Sequence, residues 1–131
     1  MGMTSPFQVW PWADLADKFR DAASRDPNCQ HMVDVVDSVI AAGAQDRLAG
    51  SSSGHISIVD LLVVPRPLPE PPYDVVAVRS PRSFHNESAP GRVVIEHLTC
   101  SGHDERIERP AAEAVPLFWR FMIEKYGIRG A

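Results

Sequence analysis

Apolar residues recur with a helical period in two stretches near the start of the chain. The first stretch follows Pro11 and ends near Ser24, and the second begins at Pro27 and stops at Gly43. Proline fits the first position of a helix, and glycine is common just past a helix end. The apolar stripes consist of Trp12, Leu15 and Phe19, and of Met32, Val35, Val36, Val39 and Ile40. We therefore predict two N-terminal helices, preceded by a loose arm at residues 1–8.

Three runs rich in Val, Ile and Leu occupy the middle of the chain, at residues 56–64, 73–78 and 92–100. Branched side chains of this kind suit a pleated sheet. A tight turn at Ser101 and Gly102 predicts a fourth strand at residues 104–109. Residues 48–54 fit either a short edge strand or a flexible loop, and the pattern does not decide between the two.

The pattern becomes helical again after Pro110 and continues to Gly127. The order of the elements is therefore helix, helix, strands, helix. We predict a single α+β domain over residues 1–131, with an antiparallel meander sheet of four to five strands, two N-terminal helices and one C-terminal helix.

The predicted strands are apolar on both of their faces, because Val75 and Ala77 alternate with Val76 and Val78. A sheet of this kind must be covered on both sides by helices, by a second sheet or by another chain. Three helices are few for this purpose. We therefore expect a homodimer or a tightly bound protein partner.

The last helix carries more aromatic surface than one core-facing stripe needs. Phe118, Trp119, Phe121 and Met122 span more than one face of that helix. Exposed aromatic patches usually mark an interface. We therefore predict that these four residues form an interaction surface, and the spacing does not say which row faces inward.

Composition limits the classes of partner. The formal net charge is −4 with no basic stripe, which argues against nucleic acid. No apolar run approaches the roughly 20 residues of a membrane helix, and the start of the chain lacks a signal-peptide pattern. We expect a cytoplasmic protein whose two cysteines, Cys29 and Cys100, are unpaired and buried.

Four polar residues are candidates for a pocket at the loop end of the sheet: His85, Glu96, His97 and His103. Histidine beside a carboxylate can carry out acid–base chemistry near neutral pH. His97, Cys100 and His103 also have metal-like spacing, but residues three apart on a strand point to opposite faces. We therefore predict no metal site and no cofactor.

Residues 50–54 match the G-x-S-x-G pattern of hydrolases, with Ser52 in the nucleophile position. That pattern requires a strand followed by a helix, whereas the residues after Gly54 are typical of a strand. With no convergent catalytic set, we expect a non-enzymatic module that binds a protein or itself, comparable in size and charge to bacterial immunity-type proteins. The alternative is a small enzyme or ligand-binding protein that uses the histidine-containing pocket.

Overall fold

A computed structural model describes residues 2–53, 60–81 and 91–130 of the chain. Within these residues the chain forms three α-helices and a five-stranded antiparallel sheet whose strands lie side by side in chain order. The elements are α1 (Trp12–Arg25), α2 (Gln30–Ala41), β1 (Leu48–Ser53), β2 (Asp60–Pro65), β3 (Val75–Arg79), β4 (Arg92–Leu98), β5 (Glu105–Pro110) and α3 (Ala114–Phe121). The predicted α+β class and its meander sheet are confirmed.

Residues 48–53, for which the sequence pattern did not distinguish a strand from a loop, form a strand. β1 pairs with β2 along its whole length, from Leu48 opposite Pro65 to Ser53 opposite Asp60. Of the predicted strand at residues 56–64, residues 60–64 belong to β2, and residues 56–59 lie outside the described residues.

One face of the sheet, here called the helix face, packs against all three helices. Its core is formed by Leu15, Phe19, Met32, Val36, Leu61, Val63, Val76, Val78, Ile95 and Phe118, among others. The Trp12 indole N–H donates a hydrogen bond to the carbonyl of Leu48 at 3.0 Å, which ties α1 to β1. Burial of branched and aromatic side chains supplies the main stabilising free energy of this layer.

The opposite face, here called the strap face, is covered differently. Its apolar residues are Ala49, Leu62, Val64, Tyr73, Val75 and Ala77. Met3 and Phe7 pack against them. Residues 2–10, here called the strap, therefore lie on the sheet, although the sequence predicts a loose arm at residues 1–8.

Both outer strands are shielded from edge pairing. The backbone N–H of Trp10 donates to the carbonyl of Gly50 at 2.9 Å, so the strap occupies the outer edge of β1. The other outer strand, β5, is charged at Glu105, Arg106, Glu108 and Arg109. Charged edges oppose pairing with a further strand.

The turn between β4 and β5 is longer than predicted. β4 ends at Leu98 and β5 begins at Glu105, and the Asp104 side chain accepts a hydrogen bond from the Thr99 N–H at 2.7 Å. At the other end of the chain, Gly127 closes the last helical turn with a left-handed φ of 67°. None of the helices in the described ranges is long and apolar enough to span a membrane.

Candidate functional site

The polar residues predicted to share a pocket lie apart. Glu96 and His97 are neighbours on β4, so their side chains point to opposite faces of the sheet. The His97 ring meets the Tyr126 ring edge-on, with 6.4 Å between their centres. His103 is exposed in the turn after β4, and His85 lies outside the described residues. The described members therefore do not converge on one pocket.

Glu96 belongs instead to an ion-pair network on the strap face. Arg79 lies between two carboxylates, with Nη1 2.9 Å from Asp60 and Nε 2.7 Å from Glu96. The other oxygen of Glu96 is 3.2 Å from the Arg106 guanidinium. Asp60 also accepts a hydrogen bond from the Ser80 N–H at 2.8 Å. The network keeps these largely buried charges compensated, and it occupies both carboxylate oxygens of Glu96.

His97 is held in its neutral form. Partial burial and the neighbouring Lys125 ammonium lower the pKa of His97, against a smaller opposing effect of the carboxylates nearby. The lowered pKa of His97 disfavours the positively charged form of the ring at neutral pH. The ring therefore offers no fixed cation to a bound anion.

Three of the four residues predicted to form an interface lie inside the molecule. Phe118, Phe121 and Met122 are at most 1% exposed and belong to the core of the helix face. In the described fold these three side chains have almost no accessible surface for contact with a partner. Trp119 is half-buried and keeps part of its ring accessible.

Trp119 lines a shallow apolar recess, here called the helical groove, between α2 and α3. The groove has a volume of about 470 Å³ and is lined by Ser38, Ala41, Ala42, Val115, Trp119, Ile123 and Gly130. The Trp119 indole N–H donates to the Ser38 hydroxyl at 3.0 Å, which fixes the orientation of the ring. Ile123 is 43% exposed beside it.

A second recess, here called the strap cavity, lies between the strap and the sheet. The strap is attached at both ends: Met3 and Tyr73 exchange two backbone hydrogen bonds of 2.8 and 3.0 Å, and Trp10 bonds to Gly50. Between these attachments a cavity of about 440 Å³ remains. Its described apolar walls come from Met3, Pro6, Phe7, Trp10 and Leu62.

Tyr73 is the most informative polar residue in the walls of the strap cavity. Its side chain is 5% exposed, and its buried hydroxyl has no hydrogen-bond partner among the described residues. The Phe7 ring packs edge-on against it, with 6.2 Å between ring centres. Burial raises the pKa of Tyr73, so the phenol keeps its proton. Leaving such a group unpaired costs about 1–3 kcal/mol.

The serine of the hydrolase-like pattern does not lie where a nucleophile is held. Ser52 is inside β1, and no strand-to-helix turn follows it within the described residues. Its hydroxyl is buried and has no hydrogen-bond partner in the described ranges, so no base within those ranges activates it. The interpretation of residues 50–54 as a nucleophile motif therefore has no support from the geometry.

Neither metal ligands nor a disulfide come together in the described part of the chain. No three residues among its histidines, cysteines and acidic side chains are placed to hold a metal ion. Cys29 is buried and Cys100 is exposed, and no disulfide joins them. The expectation that both thiols are buried is wrong for Cys100, because this residue lies in the turn that follows β4.

The fold and these surfaces define an α+β domain with an apolar recess beside the helices and another beneath the strap. No family model, curated protein or solved structure matches the chain. The function must therefore be argued from the geometry of the chain itself.

The strap cavity is the feature that the sequence pattern missed. Met3, Phe7 and Trp10 are large and apolar, which is unusual for a loose terminal arm. Their separations of four and three residues match a helical stripe, whereas the structure has no helix in this segment, so periodicity alone indicates the wrong element. The apolar content of the arm was the available signal.

Proposed function

We propose that the protein is a binding domain that holds a small, largely apolar molecule between the strap and the sheet. The observation that carries this proposal is the mainly apolar cavity that lies between the sheet and a strap attached at both of its ends. The cavity volume of about 440 Å³ lies within the range of roughly 300–1,000 Å³ that is usual for small-molecule sites.

The attachment of the strap favours a small molecule over a protein segment. The strap is hydrogen-bonded at Tyr73 and at Gly50, so the cavity is bounded at two places. A peptide adding to the sheet would have to displace the Trp10 contact from β1. A compact molecule fits beneath the strap without breaking those bonds.

The described walls favour binding over catalysis. They contribute apolar groups, the Gln8 amide and the hydroxyl-bearing residues Ser5, Ser51, Ser52 and Tyr73. Acid–base or nucleophilic chemistry needs a group of matched pKa or an activated nucleophile, such as an imidazole, a carboxylate or a thiol. None of the described wall residues supplies one.

Nuclear magnetic resonance tests the proposal directly, because Trp10 lies in the wall of the cavity and Trp119 lies in the helical groove. Millimolar ethylbenzene or acetophenone should shift the indole N–H signal of Trp10 and leave that of Trp119 in place. The signals are assigned with Trp10→Phe and Trp119→Phe variants. Absence of any Trp10 shift with both probes contradicts the proposal.

A cavity-filling variant supplies the matched control. Leu62 lies in the cavity wall at 8% exposure, so Leu62→Phe should place extra ring atoms in the empty space. We expect this variant to keep its melting temperature within a few degrees and to lose the Trp10 shift. An unchanged shift in a folded Leu62→Phe protein would place the bound probe elsewhere.

A second candidate function is self-association. The expected homodimer would then form through the helical groove, which contains only Trp119 of the four predicted interface residues. The observation that favours it is the exposed Ile123 beside the accessible part of Trp119. If the groove is the contact, Ile123→Glu should abolish a dimer seen by sedimentation velocity. Leu68→Glu is the control, because Leu68 is equally exposed at 43% and does not line the groove. A monomer at high micromolar concentration excludes this candidate.

A further inference from the structure

The charges along β5, the outer strand opposite the strap, are complementary to those of the same strand read backwards. Residues 105–109 have the sequence ERIER. If this strand lies antiparallel to a copy of itself with Ile107 at the centre, Glu105 lies opposite Arg109 and Arg106 lies opposite Glu108. Charges on an edge oppose pairing with most other strands. The order of the charges on β5 favours one exception, which is a second copy of β5.

The hydrogen bonds between β4 and β5 fix the direction of the backbone groups on the outer edge of β5. The Ala111 N–H donates to the Gly91 carbonyl at 2.7 Å, and bonded and non-bonded pairs alternate along an antiparallel ladder. The N–H and C=O of Ile107 therefore point towards β4, whereas those of Arg106 and Glu108 point away from it. In the pairing centred on Ile107, the outward groups of Arg106 meet the outward groups of Glu108 from the second copy.

The two neighbouring registers that also bring outward backbone groups together are unfavourable. A pairing centred on Arg106 places two copies of this arginine opposite each other, and a pairing centred on Glu108 does the same with two glutamates. Like charges directly opposite each other destabilise a strand pair. Of these three registers, the one centred on Ile107 is therefore favoured.

The same register matches the two faces of the sheet. Ile107 lies opposite Ile95 on β4 and packs against the core of the helix face. Glu105 and Arg109 share this face with Ile107, because side chains alternate along a strand. A two-fold axis perpendicular to the sheet keeps the helix faces of both copies on one side. The two Ile107 side chains would then meet beside the two cores.

Arg109 makes no ion pair with a carboxylate in the described part of the chain. Its guanidinium instead donates to the carbonyl of Glu108 at 2.9 Å, and this carbonyl is on the outer edge of β5. In the pair of strands, the Arg106 N–H of the second copy would replace the guanidinium at that carbonyl. Arg109 could then reach Glu105 of the second copy. Glu105 is paired with Lys125 at 2.8 Å, and a carboxylate can accept hydrogen bonds from two cations.

We infer that β5 pairs with β5 of a second copy of the chain, antiparallel and centred on Ile107, so that the two five-stranded sheets become one continuous sheet. This surface includes none of the residues that line the strap cavity or the helical groove, so the inference is independent of both proposed functions. The contact is short, because Pro110 has no N–H to continue the ladder. We therefore expect a weak dimer that is populated at high micromolar concentration.

A charge reversal at Arg109 tests the pairing. Arg109→Glu would turn both symmetry-related pairs from attraction to repulsion, and it should weaken the dimer about tenfold or more in sedimentation velocity at low salt. Arg25→Glu is the matched control, because it changes the net charge equally. Arg25 is exposed at the end of α1, which is tied to β1 at the opposite edge of the sheet. This control should leave the dimer unchanged.

A mixture of two variants separates repulsion from misfolding. Glu105→Arg should weaken self-association as Arg109→Glu does, because it creates the same two like-charged pairs with the opposite sign. In a mixed dimer of the two variants, both pairs have opposite charges again. An equimolar mixture should therefore associate although each variant alone is monomeric at that concentration. Melting temperatures within a few degrees of the unchanged protein would show that both variants are folded.

A disulfide tests the register. In the inferred register the two α-carbons at position 107 would lie about 4.5 Å apart, within the range of roughly 4.4–6.8 Å that a disulfide requires. Ile107→Cys, in a Cys100→Ser background that removes the exposed native thiol, should give a covalent dimer under mild oxidation. Ile123→Cys in the same background is the control, because Ile123 is exposed in the helical groove. It should remain monomeric on a non-reducing gel.

Three results would overturn the inference. One is a monomer at high micromolar concentration and low salt. Another is a dimer that Arg109→Glu does not weaken, or a mixture of the two folded variants that stays monomeric. The third is a covalent dimer of Ile123→Cys without one of Ile107→Cys, which would assign self-association to the helical groove. The Trp10 signal tests the strap cavity separately, and its outcome does not affect these results.

Discussion

The strap face of the sheet contains an arginine whose charge is largely buried together with the carboxylates that compensate it. Arg79 is 7% exposed in its side chain, and its two partners, Asp60 and Glu96, are 6% and 14% exposed. A compensated group of charges of this kind contributes little net stability compared with apolar residues of the same shape. Removing Arg79 is different, because Asp60 and Glu96 would stay largely buried without the guanidinium that lies between them.

Replacing Arg79 should therefore be far more harmful than replacing an exposed arginine. We expect Arg79→Ala to lower the free energy of unfolding by about 3–5 kcal/mol, as measured by urea denaturation. Arg92→Ala is the control, because the Arg92–Glu108 pair is 39% and 41% exposed and is expected to contribute at most about 1 kcal/mol. If both variants lost a similar amount of free energy of unfolding, burial of the Arg79 network would not increase its contribution to stability.

His31 should make the stability of the protein sensitive to acid. The ring is 4% exposed, and burial lowers the pKa of His31, with smaller opposing effects from backbone carbonyls and from Asp34. The folded protein therefore favours the neutral ring. Its contribution to stability is complete above the ordinary value of 6.5 and is lost as the pH falls below it towards the folded-state pKa.

Urea denaturation at pH 7.5 and at pH 5 measures this effect. His31→Leu should reduce the loss of stability between the two pH values. His97, whose pKa is also lowered by burial, contributes in the same direction and remains in that variant. An unchanged pH dependence in His31→Leu would assign the whole effect to other groups.

At the scale of elements, the helices were predictable because their signal is local. The stripe of Trp12, Leu15 and Phe19 is buried as its spacing predicts. β1 was not predictable, because Gly50 and the serines after it have no β-preference of their own. Pairing with β2 makes this segment a strand, and that pairing joins parts of the chain that a local pattern does not connect.

Gly50 allows α1 to approach β1 closely. A β-carbon at this position would lie 2.7 Å from Leu15 Cδ1 and 2.9 Å from the Trp12 ring. The Trp12 ring is fixed by its hydrogen bond to Leu48, so it has little freedom to move away. We expect Gly50→Ala to destabilise the protein by about 1–3 kcal/mol in urea denaturation.

A double variant tests whether crowding is the cause. Leu15→Ala removes one of the two groups that the new methyl would meet. The cost of Gly50→Ala should therefore be smaller in the Leu15→Ala background than in the unchanged protein. Equal costs in both backgrounds would mean that Leu15 does not contribute to the crowding.

At the scale of the whole molecule, the central strands are buried on both faces as their alternation predicts, and the partner that we expected to cover them stays a prediction. Met3 and Phe7 of the strap pack against the apolar residues of the strap face, and the carboxylates of Asp60 and Glu96 pair with Arg79 on the same face. For the aromatic residues of α3, the sequence likewise did not show which belong to the core and which lie at the surface. Phe118 is core and Trp119 is partly exposed, although both suit an apolar surface in the sequence. An apolar residue that is buried by its own fold and one that is buried by a partner give the same hydrophobic pattern in the sequence.

The strap also determines the order in which the molecule opens and closes. Every strand pairs with its neighbour in the chain, whereas the strap joins Met3 to Tyr73 and Trp10 to Gly50 across long sequence separations. Contacts between distant residues form late in folding and are held by few bonds here. The strap should therefore detach as a unit while the sheet stays intact, in a local unfolding event of low free energy.

Native-state hydrogen exchange can detect this event. The amides of Met3, Trp10 and Tyr73 should exchange at similar rates, and faster than the amides within β2 and β3, because one opening releases all three hydrogen bonds. Acetophenone should slow the three together, since a molecule beneath the strap stabilises the closed form by mass action. If Met3 and Trp10 instead exchange as slowly as β3, the strap and the sheet unfold as one cooperative unit.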